Sequence, residues 1–311
     1  MDGARYIIAG GSGLLGSALG RLLAPGADLA VLTRSAATHH GPGRAVEWDG
    51  QHLDGWQHEL DGAAAVINLA GRNLNTRWSA EARREILGSR LQSSALIGQA
   101  ISRCHEPPAV WINASATGIY GSRGDEVLVE ETAPAVPGSD FLADVCRQWE
   151  SAVLQAQIPG SVRRVIVRFG VVLSRAGGAL PILARLTKFF AGGRLGSGRQ
   201  WMPWIHIDDA TRAVQWAITS PRASGIYNVT SPNPVTNAEL MRRLREALRR
   251  PPAPPAPAWA ARFAGKVLGI PISATLASTR AVPRRMPAEG FAFRYPELAE
   301  ALEDLLRRNI R

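Results

Sequence analysis

The chain is short of cysteine, nearly without lysine, and has no long apolar run, and each shortage excludes something. Two cysteines in 311 residues, Cys104 and Cys146, are too few for a disulfide framework and point to a reducing, cytoplasmic setting. No apolar run reaches membrane-spanning length, so no membrane association is expected. The first strand begins so close to Met1 that a signal peptide has no room. Six scattered histidines show no metal-ligand spacing, and no metal is expected. Only Lys188 and Lys266 among the 36 basic residues are lysine. The net charge of +10 suits an anionic partner, and Arg242-Arg243-Leu244-Arg245, continuing to Arg249-Arg250, is a run that nucleic acid would attract. No aromatic residue interleaves with it, so a solvated helix face is expected there and nucleic acid is not an expected partner. No internal repeat is present.

What is present centres on Gly10-Gly11-Ser12-Gly13-Leu14-Leu15-Gly16. The apolar run Tyr6-Ile7-Ile8-Ala9 before it reads as a buried strand, and the amphipathic stretch 19–23 after it reads as a helix. A glycine turn between strand and helix is the setting of a dinucleotide-binding loop. Gly10 permits the tight turn, Gly13 lets backbone N–H groups approach a pyrophosphate, and Gly16 lets the helix pack on the strand. Further apolar runs, 29–32, 45–49, 64–69, 110–114 and 165–168, alternate with helical periodicity, clearest over residues 83–101. That alternation predicts an α/β fold: a Rossmann-type doubly wound parallel sheet with a ligand across its carboxyl edge. Residues 1–170, with 206–230 returning to them, would form the cofactor domain. Residues 171–205 and 231–311 would form a smaller α+β substrate lobe. The segment 251–257 is proline-rich and reads as a stiff linker; helices are expected near 259–268 and 297–307. Asp208 or Asp209 is expected to cap the helix running through Ala217.

The second strand ends at Thr33-Arg34-Ser35. An arginine there suits the 2′-phosphate of NADP, where an NAD-specific fold usually carries an acidic residue. Asp49, at the end of the third run, stands where it could meet the adenine. The fourth run passes through Leu69 to Ala70 and Gly71, small residues over which a cofactor can lie.

Taken together the residues resemble the extended short-chain dehydrogenase/reductase superfamily, and within it an atypical epimerase-family branch with a C-terminal domain of unknown function. The resemblance rests on Gly10-x-x-Gly13-x-x-Gly16, Asn68-Leu69-Ala70-Gly71, Arg77-Trp78 with Ser89-Arg90, and Ser115-Ala116-Thr117-Gly118-Ile119-Tyr120-Gly121. It continues through Arg168-Phe169-Gly170, Gly198-Arg199-Gln200, Trp204-Ile205-His206, Val282-Pro283-Arg284-Arg285 and the run 290–296. It implies NADP as cofactor, with Ser12, Leu14, Leu15, Glu85 and Arg90 joining the residues above around it.

The superfamily depends on a Tyr-x-x-x-Lys pair whose lysine lowers the tyrosine pKa. The four tyrosines here are Tyr6, Tyr120, Tyr227 and Tyr295, and four residues beyond them stand Gly10, Gly124, Ser231 and Ala299. The pair is absent. If Glu150 matches the glutamate that follows it, Leu142 and Cys146 fill its places. Ser115, Thr117, Tyr120 and His206 are the candidates for a replacement proton relay, and each has a structural reading beside the catalytic one: strand-end hydrogen bonding, loop packing or a core histidine. The expected function is therefore an NADP-binding, epimerase- or oxidoreductase-like protein acting on an unidentified small molecule, and the alternative is an NADP-binding sensor without turnover.

Overall fold

The computed structural model describes residues 3–74, 76–259 and 276–307. Seven parallel strands form the central sheet: β1 (Arg5–Ala9), β2 (Asp28–Thr33), β3 (Arg44–Glu47), β4 (Ala65–Asn68), β5 (Val110–Ala116), β6 (Arg163–Phe169) and β7 (Gly225–Val229). Their spatial order is β7-β6-β5-β4-β1-β2-β3. The order reverses between β1 and β4, and a crevice opens there at the carboxyl edge. The apolar runs make this sheet because alternate residues serve opposite faces. Tyr6, Ile8, Leu29, Val31 and Ile67 pack against Leu19 and Leu23 of α1 (Leu14–Leu23) and Ala210, Ala213 and Val214 of α5 (Ile207–Thr219). Ile7, Ala9, Leu32, Val66 and Trp111 pack against Leu96, Ile97 and Ile101 of α2 (Ala80–Ser102) and Val153 of α3 (Phe141–Leu154). Burial on both faces is worth about 1.5–3 kcal/mol for each large aliphatic side chain and fixes the register.

A smaller unit gathers from elements that follow β6. A three-stranded sheet (Trp204–His206, Val171–Ser174, Gly177–Gly178) joins α4 (Ala179–Lys188), α6 (Asn237–Ala247) and a helix at Leu298–Arg307. Leu173, Leu180, Trp204, Leu240, Leu244 and Leu302 form its core. The glycine pair at its hairpin lies on the cofactor-loop side: a Cβ on Gly178 would sit 3.3 Å from Leu14.

Two sequence expectations are corrected. The cap of α5 is His206, whose Nδ1 accepts from the Asp208 N–H at 3.0 Å, and neither aspartate fills that place. Asp209, fully buried, instead accepts the Arg294 and Tyr295 N–H groups at 2.8 Å each and so pins the C-terminal segment to α5. The proline-rich segment is not a free spacer, because Ala256 exchanges backbone bonds with Arg194 (2.9 Å) and Gly196 (2.8 Å). The helix expected near 259–268 falls almost wholly outside the described residues. In α6, Arg242 and Arg243 are paired with Glu239 and Glu246, and Arg245 donates to the Gly192 carbonyl, so the basic run is largely neutralised within the protein. Among the described residues no helix is long and apolar enough to cross a membrane.

Candidate functional site

The loop from β1 to α1 is shaped by what its glycines leave out. Gly10 has φ +82°, and a Cβ there would lie 2.8 Å from the Leu69 carbonyl. A Cβ on Gly16 would collide with the Gly10 carbonyl oxygen and stand 2.6 Å from Gly11 Cα, which is why helix and turn can touch. Gly13 is the N-cap of α1 and supplies no side-chain acceptor, and the first turn holds no acidic residue. The backbone N–H groups of that turn, including those of Leu14, Leu15 and Gly16, therefore lack the side-chain partner that a helix start ordinarily has. Ser12 is exposed beside them. Open amides, the positive end of a helix and a turn drawn tight by side-chain-free glycines make a cradle that fits a pyrophosphate.

Arg34 is exposed just beyond β2 and makes no ion pair among the described residues, while Thr33 Oγ1 accepts from Ser35 N at 3.5 Å and keeps the turn closed. Asp49 is engaged otherwise than expected. Its Oδ1 accepts the Gln51 and His52 N–H groups at 2.7 and 2.9 Å, and Oδ2 lies 2.5 Å from His52 Nδ1. These bonds hold the carboxyl down at about 2. Asp54 completes a group in which the three side chains each bring a ligand atom within 4.8 Å, all exposed.

Leu69, Ala70 and Gly71 follow β4 at the edge of the crevice. Behind them Asn68 and Asn113, register partners on β4 and β5, share a buried network. Asn68 Nδ2 donates to Asn113 Oδ1 at 2.8 Å, Asn68 Oδ1 accepts from Ala70 N at 3.1 Å, and Ser94 donates to Asn113 at 3.2 Å. Trp149 Nε1 closes the set on Ser94 at 3.0 Å. The network fixes the path of residues 69–71. The sequence signal for it is the asparagine ending each of two adjacent apolar runs. Arg90, on α2, lies beneath the strip: a Cβ on Gly71 would be 2.9 Å from its Cζ, and the guanidinium stacks 5.1 Å from the Trp149 ring. It donates to the Ile86 and Arg72 carbonyls, has no carboxylate partner among the described residues, and is pushed down in pKa by burial. Glu85 is exposed on the same helix and pairs with Arg72.

At the end of β5 the structure brings three of the four relay candidates together and engages each internally. Ser115 Oγ donates to Glu150 at 2.6 Å. Glu150 takes both Arg168 Nε and Nη2 at 2.8 Å, and Arg168 Nη1 donates to the Tyr120 hydroxyl at 2.8 Å. That hydroxyl donates to Asn228 Oδ1 at 2.8 Å, and Asn228 Nδ2 reaches the Val282 carbonyl at 3.0 Å. Thr117 Oγ1 donates to the Phe169 carbonyl at 3.4 Å. Burial raises the Tyr120 pKa against the opposing pull of Arg168. Cys146 is buried in the same place, and desolvation pushes its thiol up to about 12. Leu142 flanks the loop, 3.8 Å from where a Gly118 Cβ would be. His206, the fourth candidate, is elsewhere: it stacks on Tyr295 (4.0 Å) in the core of the smaller unit, with Nε2 facing Asp304 at 3.4 Å. Arg199 and Gln200 line a separate cavity of about 570 Å³ with Asp125, Leu195, Ser197 and Ser278.

Similarity to known proteins agrees with this geometry. The NAD dependent epimerase/dehydratase family matches residues 6–230, and DUF1731, a domain of unknown function, matches residues 256–305. The chain is 36% identical over 306 residues to the Arabidopsis thaliana epimerase family protein SDR39U1 homolog, chloroplastic, covering 96% of this chain and 86% of that protein. It is 37% identical over 305 residues to the Staphylococcus saprophyticus epimerase family protein SSP1921, covering 97% and 99%. The human epimerase family protein SDR39U1, solved with NADPH, superposes with a TM-score of 0.86 at 32% identity, covering 98% of this chain and 99% of that one. With one family spanning most of the chain and relatives of this identity along nearly all of it, the chain belongs to the NAD-dependent epimerase/dehydratase family.

Proposed function

We propose that the protein binds NADP across the carboxyl edge of the sheet and acts as an epimerase- or oxidoreductase-like protein on a small molecule. The observation that carries this is the uncapped start of α1 behind glycines whose Cβ positions are already filled. In this reading Gly10, Ser12, Gly13, Leu14, Leu15 and Gly16 hold the pyrophosphate, and Thr33 and Arg34 hold the 2′-phosphate. Leu69, Ala70 and Gly71 support the nicotinamide half, with Glu85 and Arg90 beside it. The human relative solved with NADPH supports the choice of cofactor. Residues 1–170 with 206–230 serve as the cofactor domain, and the rest as the lobe for the substrate. Both cysteines are unpaired, which supports a reducing compartment such as the cytoplasm.

Calorimetric titration with NADPH and NADH tests the assignment. A charge-assisted hydrogen bond is worth about 1.5–3 kcal/mol, so Arg34→Asp should weaken NADPH about 10- to 150-fold. NADH should change by less than about threefold. Equal losses for both nucleotides would refute the role given to Arg34.

A further inference from the structure

Around the carboxyl end of β5 the side chains able to give up a proton are already committed. Ser115, Thr117 and Tyr120 donate to Glu150, the Phe169 carbonyl and Asn228, and all three are buried. Cys146 is buried beside them, and Leu142 is a hydrocarbon. The starts of the two helices that follow β4 and β5 are built from other material. Trp78, in the turn entering α2, meets Phe141, the first residue of α3, edge to face at 5.3 Å. The Arg83 guanidinium lies 4.8 Å over the Phe141 ring and 6.0 Å from Trp78. Both aromatic residues are half-buried, and Arg83 is exposed without a carboxylate partner among the described residues. Helices α2 and α3 both start at the carboxyl edge, so this aromatic and cationic ledge stands on the side of the crevice where β4 and β5 end.

We propose that the ledge of Trp78, Phe141 and Arg83 docks a flat, conjugated, electron-poor ring of the quinone class as the substrate of this site. The proposal rests on the cofactor reading above. The half-buried Trp78 ring offers a flat surface for stacking, and Phe141 props it edge to face and carries the Arg83 guanidinium. That guanidinium, without a carboxylate partner among the described residues, meets the charge that such a ring acquires on reduction. The committed hydroxyls select the same class. Reduction of an isolated ketone develops an alkoxide whose conjugate acid is about as weak as water, pKa about 15.7, and a positioned acid is worth about 100- to 10,000-fold there. Reduction of a quinone leaves a phenolate whose conjugate acid titrates near a phenol's pKa of about 10, which water can protonate. The balance closes without a protein acid. The reduced nicotinamide cofactor supplies two electrons and one hydrogen to a quinone oxygen, its C–H bond breaking as the O–H bond forms. The second oxygen takes its proton from water.

The test uses the full chain. NADPH binding is measured first by calorimetry, and then 1,4-naphthoquinone and 1-tetralone, a ketone of matched shape, are titrated into the protein saturated with NADP⁺, where no turnover occurs. Naphthoquinone should bind, and Phe141→Ala should weaken it at least about tenfold while NADPH binding holds. Arg83→Gln, an exposed change, should weaken 2-hydroxy-1,4-naphthoquinone, an anion at neutral pH, several-fold more than the neutral quinone. Oxidation of NADPH should run at least about 100-fold faster with naphthoquinone than with tetralone. Normal NADPH binding with no quinone binding, no loss in Phe141→Ala, or equal turnover of the two rings would overturn the proposal alone. Failure of NADPH to bind would overturn the cofactor reading and this proposal with it.

Discussion

Replacing Glu150 with alanine should destabilise the fold by about 3–5 kcal/mol, the range for stranding one member of a buried ion pair. Glu150 and Arg168 are 4% and 3% exposed, and the carboxylate receives three hydrogen bonds, one from Ser115 and two from Arg168. Without it the guanidinium keeps only the Tyr120 hydroxyl and a 3.4 Å contact with the Glu130 carbonyl, neither of them charged. The Ser115 hydroxyl also loses its acceptor, a further burial cost of about 1–3 kcal/mol where no new partner is found. In the parent, burial by itself would lower the Arg168 pKa, but the bonds and charge of Glu150 outweigh it and raise it. Without Glu150 that support is gone, yet a guanidinium is too basic to shed its proton, so the cation stays buried and charged. Urea unfolding followed by far-ultraviolet circular dichroism measures the loss. Two controls bracket it. Glu246→Ala removes an exposed partner of Arg242 and Arg243 and should cost no more than about 1 kcal/mol. Glu150→Leu combined with Arg168→Met removes both buried charges and should cost less than Glu150→Ala alone. A single alanine variant within about 1 kcal/mol of the parent, or a double variant worse than the single, would refute the reasoning.

Two further outcomes follow from the site and the lobe. Gly16→Ala should weaken NADPH at least about tenfold in the same calorimetric titration and lower stability by about 1–3 kcal/mol, since its methyl group meets backbone and not a yielding side chain; unchanged affinity would show that the turn has room to move. His206 should make the fold acid-sensitive. Burial, opposed by Asp208, Asp304 and Asp209, lowers its pKa in the folded state, so the unfolded chain takes up the proton first, and stability should fall as pH drops through the unfolded value of about 6.5. Protonation also removes the Nδ1 acceptor that caps α5. Urea midpoints at pH 7.5 and 5.5 should differ in the parent and converge in His206→Gln, and equal midpoints in the parent would refute the assignment.

The sheet was legible because its information is local. Six of its seven strands are short apolar runs, which suffice to specify buried parallel strands; the seventh, Gly225–Val229, carries glycine, tyrosine and asparagine and was not legible as one. The glycine turn was legible for the same reason, as strand, turn and helix adjoin in the chain. The errors lie where distant segments compete for one side chain. Aspartate outranks histidine as a helix cap, so Asp208 and Asp209 looked like the cap of α5. Asp209 is drawn instead to two backbone N–H groups 85 and 86 residues away, and His206 takes the cap. The proline-rich segment reads as a spacer because proline stiffness is local, whereas the bonds of Ala256 to Arg194 and Gly196 are set by the lobe. Trp78 and Phe141 are 63 residues apart, and nothing in either neighbourhood announces that they meet.

The missing Tyr-x-x-x-Lys pair shows what a sequence absence can and cannot mean. Position by position, Leu142 and Cys146 remove a hydroxyl and a cation, and the chain then looks like a damaged enzyme. In three dimensions the surrounding polar residues have a coherent arrangement of their own. Ser115, Glu150, Arg168, Tyr120 and Asn228 form one continuous buried chain of bonds from β5 through α3 and β6 to the C-terminal segment at Val282. A buried charge pair with its partners satisfied is costly to leave half-made, so these residues are constrained together by the fold whether or not they touch a ligand. Tyr120 and Ser115 therefore need no catalytic duty to explain their burial. Among the described residues, the cradle at the start of α1 and the exposed Arg34 have no comparable structural employment. It is these groups left free by the fold, more than those that match a catalytic motif, on which the proposed cofactor reading rests.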